Sequence, residues 1–123
     1  LTLAFVSNLS AILQLVIVLI ELIIWCSYSL GRFFQDSFWL IKTLSNNIKR
    51  GKKEGFIRKT VDEIIITKLR LEEIELAFDQ NLFPYKKFEI INVQLQFFDH
   101  FMRGILTNEG LKIYEKSFLK YIK

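Results

Sequence analysis

Residues 9–30 read LSAILQLVIVLIELIIWCSYSL, and Glu21 is the only formally charged residue in residues 1–30. A helix lying on a protein surface needs a broad charged or polar face, and this stretch is too apolar to supply one. Its length is about the ~20 residues required to cross a ~30 Å hydrocarbon core. A single chain in lipid satisfies its backbone only within itself, so the stretch is expected to be a transmembrane helix. A secretory leader would place basic residues before the apolar run and small residues after it. Here the order is reversed: Arg32, Lys42, Lys49, Arg50, Lys52, Lys53, Arg58 and Lys59 follow the run, with Asp36 and Glu54 the only acids among them. The positive-inside rule then puts the C-terminal part in the cytoplasm, or in the matrix of a mitochondrion. Trp25, Tyr28, Phe33, Phe34, Phe38 and Trp39 make an aromatic belt on that side. The helix can continue past Gly31 to about residue 44, since an interior Gly opposes it by only ~1 kcal/mol.

Ser7, Gln14, Glu21, Tyr28 and Gln35 recur every seventh residue. Residues so spaced stay on one helix face, drifting ~20° per heptad. A carboxylate and an amide inside a bilayer must face protein or water, so this polar seam is the expected intramembrane contact with partner subunits. Glu21 is read first as an anchor to a neighbouring helix and second as a proton-transfer group.

The chain has 123 residues, 51% hydrophobic, 24% charged, with 5 Gly, 1 Pro and 1 Cys. That composition excludes disorder and a disulfide scaffold, and the length suits three regions of one small protein. These are a transmembrane helix with an interfacial extension (1–44), a basic juxtamembrane linker (45–59) and a helical extramembrane region (60–123). Lys49, Arg50, Lys52, Lys53, Arg58 and Lys59, interrupted by Gly51 and Gly55, are the expected contacts to anionic lipid headgroups at about 1 kcal/mol per charge. RNA phosphates would feel the same charges, but the net charge of +4 is accounted for by topology and no RNA-binding motif is present. Nucleic acid is therefore not the expected partner.

Beyond residue 56 the pattern is helical. Thr60 with Glu63 resembles a capping box, predicting a helix over about 61–80. Ile64, Leu71, Ile74 and Phe78 share one of its faces, and Ile65, Leu69 and Leu76 another, as in a helix sandwiched between neighbours; the alternation of Ile74, Leu76 and Phe78 leaves a short strand as the alternative. Pro84 suits the first turn of the next helix. Phe88, Ile91, Leu95, Phe98, Met102 and Ile105 hold a/d spacing there, and this broad apolar face is expected either to dock on other subunits or to form the core of the bundle itself, with subunit docking taken as the assignment. Thr107, Asn108 and Gly110 mark a turn before a third helix carrying Leu111, Tyr114, Phe118 and Tyr121. The fold class expected is an all-α membrane protein, one N-terminal transmembrane helix followed by a small bundle of about three amphipathic helices.

No catalytic, cofactor or metal motif stands out. Cys26 has no second cysteine and His100 is the only histidine. The segment 51–55 lacks the first Gly, the Ser/Thr and the preceding strand of a phosphate loop. Glu72, Glu73, Glu75 and Asp79 form an acidic patch read as a solvated face or as ion-pair partners of the basic segment. The chain is expected to be non-catalytic, without cofactor or small-molecule substrate.

Ile, Leu, Phe and Lys dominate, Ala occurs only at Ala4, Ala11 and Ala77, and Pro only at Pro84. This bias resembles proteins encoded in AT-rich organelle genomes, such as the short mitochondrial reading frames of ciliates. One N-terminal span, a basic exit and a helical tail on the inner side are similar in layout to subunit 8 or subunit b of F-type ATP synthases. The likeness covers the whole chain in architecture and rests on no specific motif; the opening Leu1-Thr2-Leu3-Ala4 departs from the Met-Pro-Gln-Leu start common in subunit 8. It implies a structural subunit in the mitochondrial inner membrane, N-terminus outside and C-terminus in the matrix, with other membrane subunits and anionic lipids as partners. An accessory subunit of a respiratory-chain complex shares the layout. A membrane-tethered adaptor for a soluble protein or RNA is the remaining alternative.

Overall fold

A computed structural model describes residues 38–117, which form four helices: α1 (Phe38–Lys53), α2 (Glu63–Leu76), α3 (Ile90–Ile105) and α4 (Asn108–Ser117). The class is all-α. Among the described residues the only strand-like pairing is an isolated antiparallel bridge between Ile57 and Leu106. No helix among them is long and apolar enough to cross a membrane. The expected span at 9–30, Cys26, the seam of Ser7, Gln14, Glu21, Tyr28 and Gln35, and Phe118 and Tyr121 lie outside the described residues.

In α1, Leu44, Ile48 and Gly51 are buried at i, i+4 and i+7, while Lys42, Asn46, Lys49 and Lys53 face solvent. The basic stretch expected to be a flexible linker is thus helical as far as Lys53. Its end is a Schellman stop: Phe56 N donates to Gly51 O (2.9 Å), Gly55 N to Lys52 O (3.2 Å), and Gly55 takes φ 82°, a conformation that costs a glycine nothing. Gly51 gives room for the Ile57 side chain, which a Cβ there would overlap.

Helix α2 starts two residues later than expected. Its cap is Asp62, whose Oδ1 accepts from Ile64 N (3.0 Å) and Ile65 N (2.9 Å), not Thr60 with a reciprocal Glu63. Asp62 carries an ionised acceptor at the positive end of the helix, a stronger cap than a hydroxyl. Glu63 becomes the first helical residue and pairs with Lys52 Nζ at 2.9 Å. The helix ends at Leu76, short of the expected residue 80, because Asp79 Oδ1 accepts from Asn81 N (2.8 Å) and closes a local turn instead.

Pro84 does not open α3. Its carbonyl accepts from Lys87 N and Phe88 N, both at 3.0 Å, making one closed turn, and Glu89 is extended before the helix starts at Ile90. At the other end Leu106 is extended and Thr107 caps α4: its Oγ1 accepts from Gly110 N (3.1 Å) and donates to Gly55 O (2.7 Å). With Arg58 N to Ile105 O and Thr107 N to Phe56 O, both 2.9 Å, this ties the α1–α2 connection to the α3–α4 connection.

Every helix supplies the core: Leu44 and Ile48 from α1, Leu71 and Ile74 from α2, Phe98, Phe101, Met102 and Ile105 from α3, and Tyr114 from α4. Arg70 sits inside it at 1% exposure, its guanidinium 5.5 Å from the Phe98 ring centroid and 5.7 Å from that of Phe101, with Glu73 at 3.7 Å. Gln94 Nε2 donates to Ile74 O at 2.9 Å and locks α3 to α2.

Candidate docking surfaces

Two groups of large apolar side chains remain on the surface. The first is on α2, where Ile65 (66% exposed), Leu69 (49%) and Leu76 (43%) lie opposite the buried Thr67, Arg70, Leu71 and Ile74; Ile64 (46%), expected on the buried face, is exposed to one side of them. The second comprises Leu82, Tyr85, Phe88 and Ile91, all within ten residues of the α2–α3 connection. That connection is braced: the Phe83 ring packs edge-on against Phe88 and Phe97, both at 5.5 Å, and Tyr85 N donates to Gln80 Oε1 at 3.1 Å. Its apolar side chains are displayed by a built turn.

The a/d stripe of α3 divides along its length. Phe98 and Met102 are fully buried and Ile105 is 2% exposed, so these three belong to the chain's own core; a docking role for them is corrected here. Periodicity correctly grouped them on one face, but the C-terminal half of that face is packed into the chain's own core, with Arg70 of α2 and Tyr114 of α4 against Phe98. Leu95 is half-buried, while Phe88 (43%) and Ile91 (44%) are exposed and remain docking candidates. Leu82 and Tyr85 join them; no periodic signal marks them because they precede the helix.

The basic residues divide as well. Lys49, Lys53 and Lys59 are exposed. Arg50 pairs with Glu54 at 3.2 Å. Lys52 Nζ donates to Val61 O (2.7 Å) and Glu63, and this lysine holds the Glu63 carboxyl below the usual carboxylate range. Arg58 donates through Nε to Gly104 O (3.1 Å) and through its terminal nitrogens to Gly104 O and Thr60 Oγ1. Lys52 and Arg58 are therefore committed to the fold, and a lipid-headgroup role is left to the other positions.

On the α3–α4 side, Asp99 accepts from the Tyr114 hydroxyl (2.7 Å) and from Arg103 Nε, and Arg103 also approaches Glu115 at 3.6 Å. Burial, then the bond to Asp99, pushes the Tyr114 pKa up, and Asp99 in turn raises that of Arg103. His100 is exposed beside this network and does not enter its hydrogen bonds. The acidic patch has structural duties: Glu73 faces Arg70 and Asp79 closes a turn. Burial pushes the Glu73 carboxyl up against the opposing pull of Arg70. Among the described residues no group of three or more His, Cys, Asp or Glu side chains is arranged to hold a metal ion.

Comparison with protein-family models, with curated proteins and with solved structures finds no match in any of the three.

Proposed function

We propose that this chain is a non-catalytic structural subunit of a multisubunit energy-transducing complex, anchored in the mitochondrial inner membrane by residues 9–30, with its helical body on the matrix side. Within that class, the membrane sector or peripheral stalk of an F-type ATP synthase is the first assignment, on the similarity of layout, and a respiratory-chain complex the second. The reading is carried by the cluster of Leu82, Tyr85, Phe88 and Ile91 on a braced connection. Large apolar side chains exposed together on one short segment are what an interface uses. The single carboxylate Glu21 in an otherwise uncharged segment adds a second demand for a partner, inside the membrane.

The test is affinity purification of the tagged full chain from gently solubilised membranes, wild type beside the double variant Phe88→Ser, Ile91→Ser. Because Phe88 also braces the connection through Phe83, a second variant, Leu82→Ser with Ile91→Ser, removes outward side chains only; both variants are expected to keep membrane association and to lose co-purifying membrane subunits, and the second also to keep its helicity. An unchanged set of partners would reject this surface as the interface.

The exposed Lys49, Lys53 and Lys59 favour one further reading, a membrane-tethered adaptor that recruits a soluble protein or RNA. It requires binding that falls steeply with salt, because phosphate contacts release counterions.

A further inference from the structure

On α2 the outward residues Ile65, Leu69, Glu72 and Leu76 follow 4-3-4 spacing, the repeat of a coiled-coil seam. At ~100° per residue, Ile65, Leu69 and Leu76 fall within roughly 40° of one another, and Lys68 and Glu72 flank them on the same side. Both charged residues are exposed, and neither forms an ion pair among the described residues. The seam therefore has a charge pattern that selects its occupant.

We propose that this face of α2 pairs antiparallel with α2 of a second copy of the chain. A twofold axis passing between residues 70 and 71 sets Ile65 opposite Leu76 of the second copy, and Leu76 opposite Ile65. Leu69 of each copy is then level with Glu72 of the other, and the two Leu69 side chains lie on the same flank about three residue rises, ~4.5 Å, apart along the helix axis. The same operation brings Lys68 of each copy to within about one residue rise, ~1.5 Å along the axis, of the level of Glu72 on the other. Two opposite-charge pairs result, on one flank of the apolar seam. Parallel pairing in register would instead set Glu72 against Glu72 within the seam. The interface is isologous, as a twofold dimer requires. It is also short, only 14 residues of helix, so the dimer is concentration-dependent. This pairing uses a different face from the Leu82–Ile91 cluster and does not rest on the identity of the complex.

The experiment uses the full chain in mild detergent, with Cys26→Ser as background. Light scattering over a concentration series is expected to show a monomer–dimer equilibrium. A short bismaleimide should cross-link Leu69→Cys to itself, and a mixture of Ile65→Cys with Leu76→Cys, but not Ile65→Cys alone. Lys68→Glu should raise the dimer dissociation constant about tenfold, the effect of turning two surface attractions into repulsions. Lys68→Glu with Glu72→Lys should restore it. A monomer at every concentration, cross-linking of Ile65→Cys alone as efficient as that of the mixture, or a charge-swapped double variant as weak as the single one would each overturn the proposal.

Discussion

The Tyr114 hydroxyl donates a 2.7 Å hydrogen bond to Asp99 Oδ1, joining α4 to α3 through a ring that is fully buried. The Tyr114 and Phe98 rings also meet edge-on at 6.2 Å, so the tyrosine is packed on its body and bonded at its tip. Tyr114→Phe keeps the first and removes the second. It is expected to lower stability by about 1–2 kcal/mol, since the lost bond is to a charged acceptor. The pH dependence has a definite sign. The folded-state pKa is raised, so the unfolded chain ionises first, and the stability held at neutral pH falls once the pH exceeds the ordinary tyrosine value of ~10. Thermal melts of both proteins across alkaline pH check this; Tyr114→Phe should show the shallower alkaline decline.

Two glycines predict opposite effects of the same change. A Cβ on Gly110 would run into the Phe56 carbonyl, a backbone group held by Thr107 N. Gly110→Ala should therefore destabilise by about 1–3 kcal/mol, in the range of overpacking. Gly104 lies in α3 with open space around its Cβ position. Gly104→Ala should stabilise by up to about 1 kcal/mol through helix propensity and a less disordered unfolded chain. Urea unfolding followed by circular dichroism reads both.

Arg70→Lys is not a conservative change here. The guanidinium plane lies over Phe98 and Phe101 inside the core, and an ammonium on a flexible stem cannot reproduce that contact. A loss of about 1–2 kcal/mol is expected, measured as a lower Tm.

At the acid end the relevant pair is Lys52–Glu63. Because Lys52 lowers the folded-state pKa of Glu63, the pair's contribution is present above the ordinary glutamate value and is lost as the pH falls through the lowered one. Glu63→Gln should flatten the acid side of a Tm-against-pH profile. A profile unchanged by the substitution would show that the pair contributes nothing to folding.

Periodicity alone made α3 legible and placed Leu71 and Ile74 of α2 on a buried face, but it grouped the 46% exposed Ile64 with them and read the exposed face of Ile65, Leu69 and Leu76 as covered by a neighbour. It could not say how far along α3 the core reaches. Ile91 and Phe98 belong to one stripe and look alike in sequence; what separates them is the covering by the other helices, a tertiary fact. Helix boundaries failed for a related reason. Thr60, Asp62 and Asp79 are all competent caps, and the choice among them depended on Lys52 occupying Glu63 and on a turn at 79–82. The basic cluster was misread in part because a charge run looks the same whether solvated or used. Lys52 and Arg58 are bound by carbonyls at Val61 and Gly104, 9 and 46 residues away, which no local pattern reveals.

The role proposed for this chain is that of a membrane subunit in a larger energy-transducing assembly. Native separation of gently solubilised membranes, with mass spectrometry to locate the chain, tests it most directly. Co-migration with an ATP synthase or respiratory-chain assembly is the predicted result. Migration of the chain by itself, or with soluble factors only, would contradict the account.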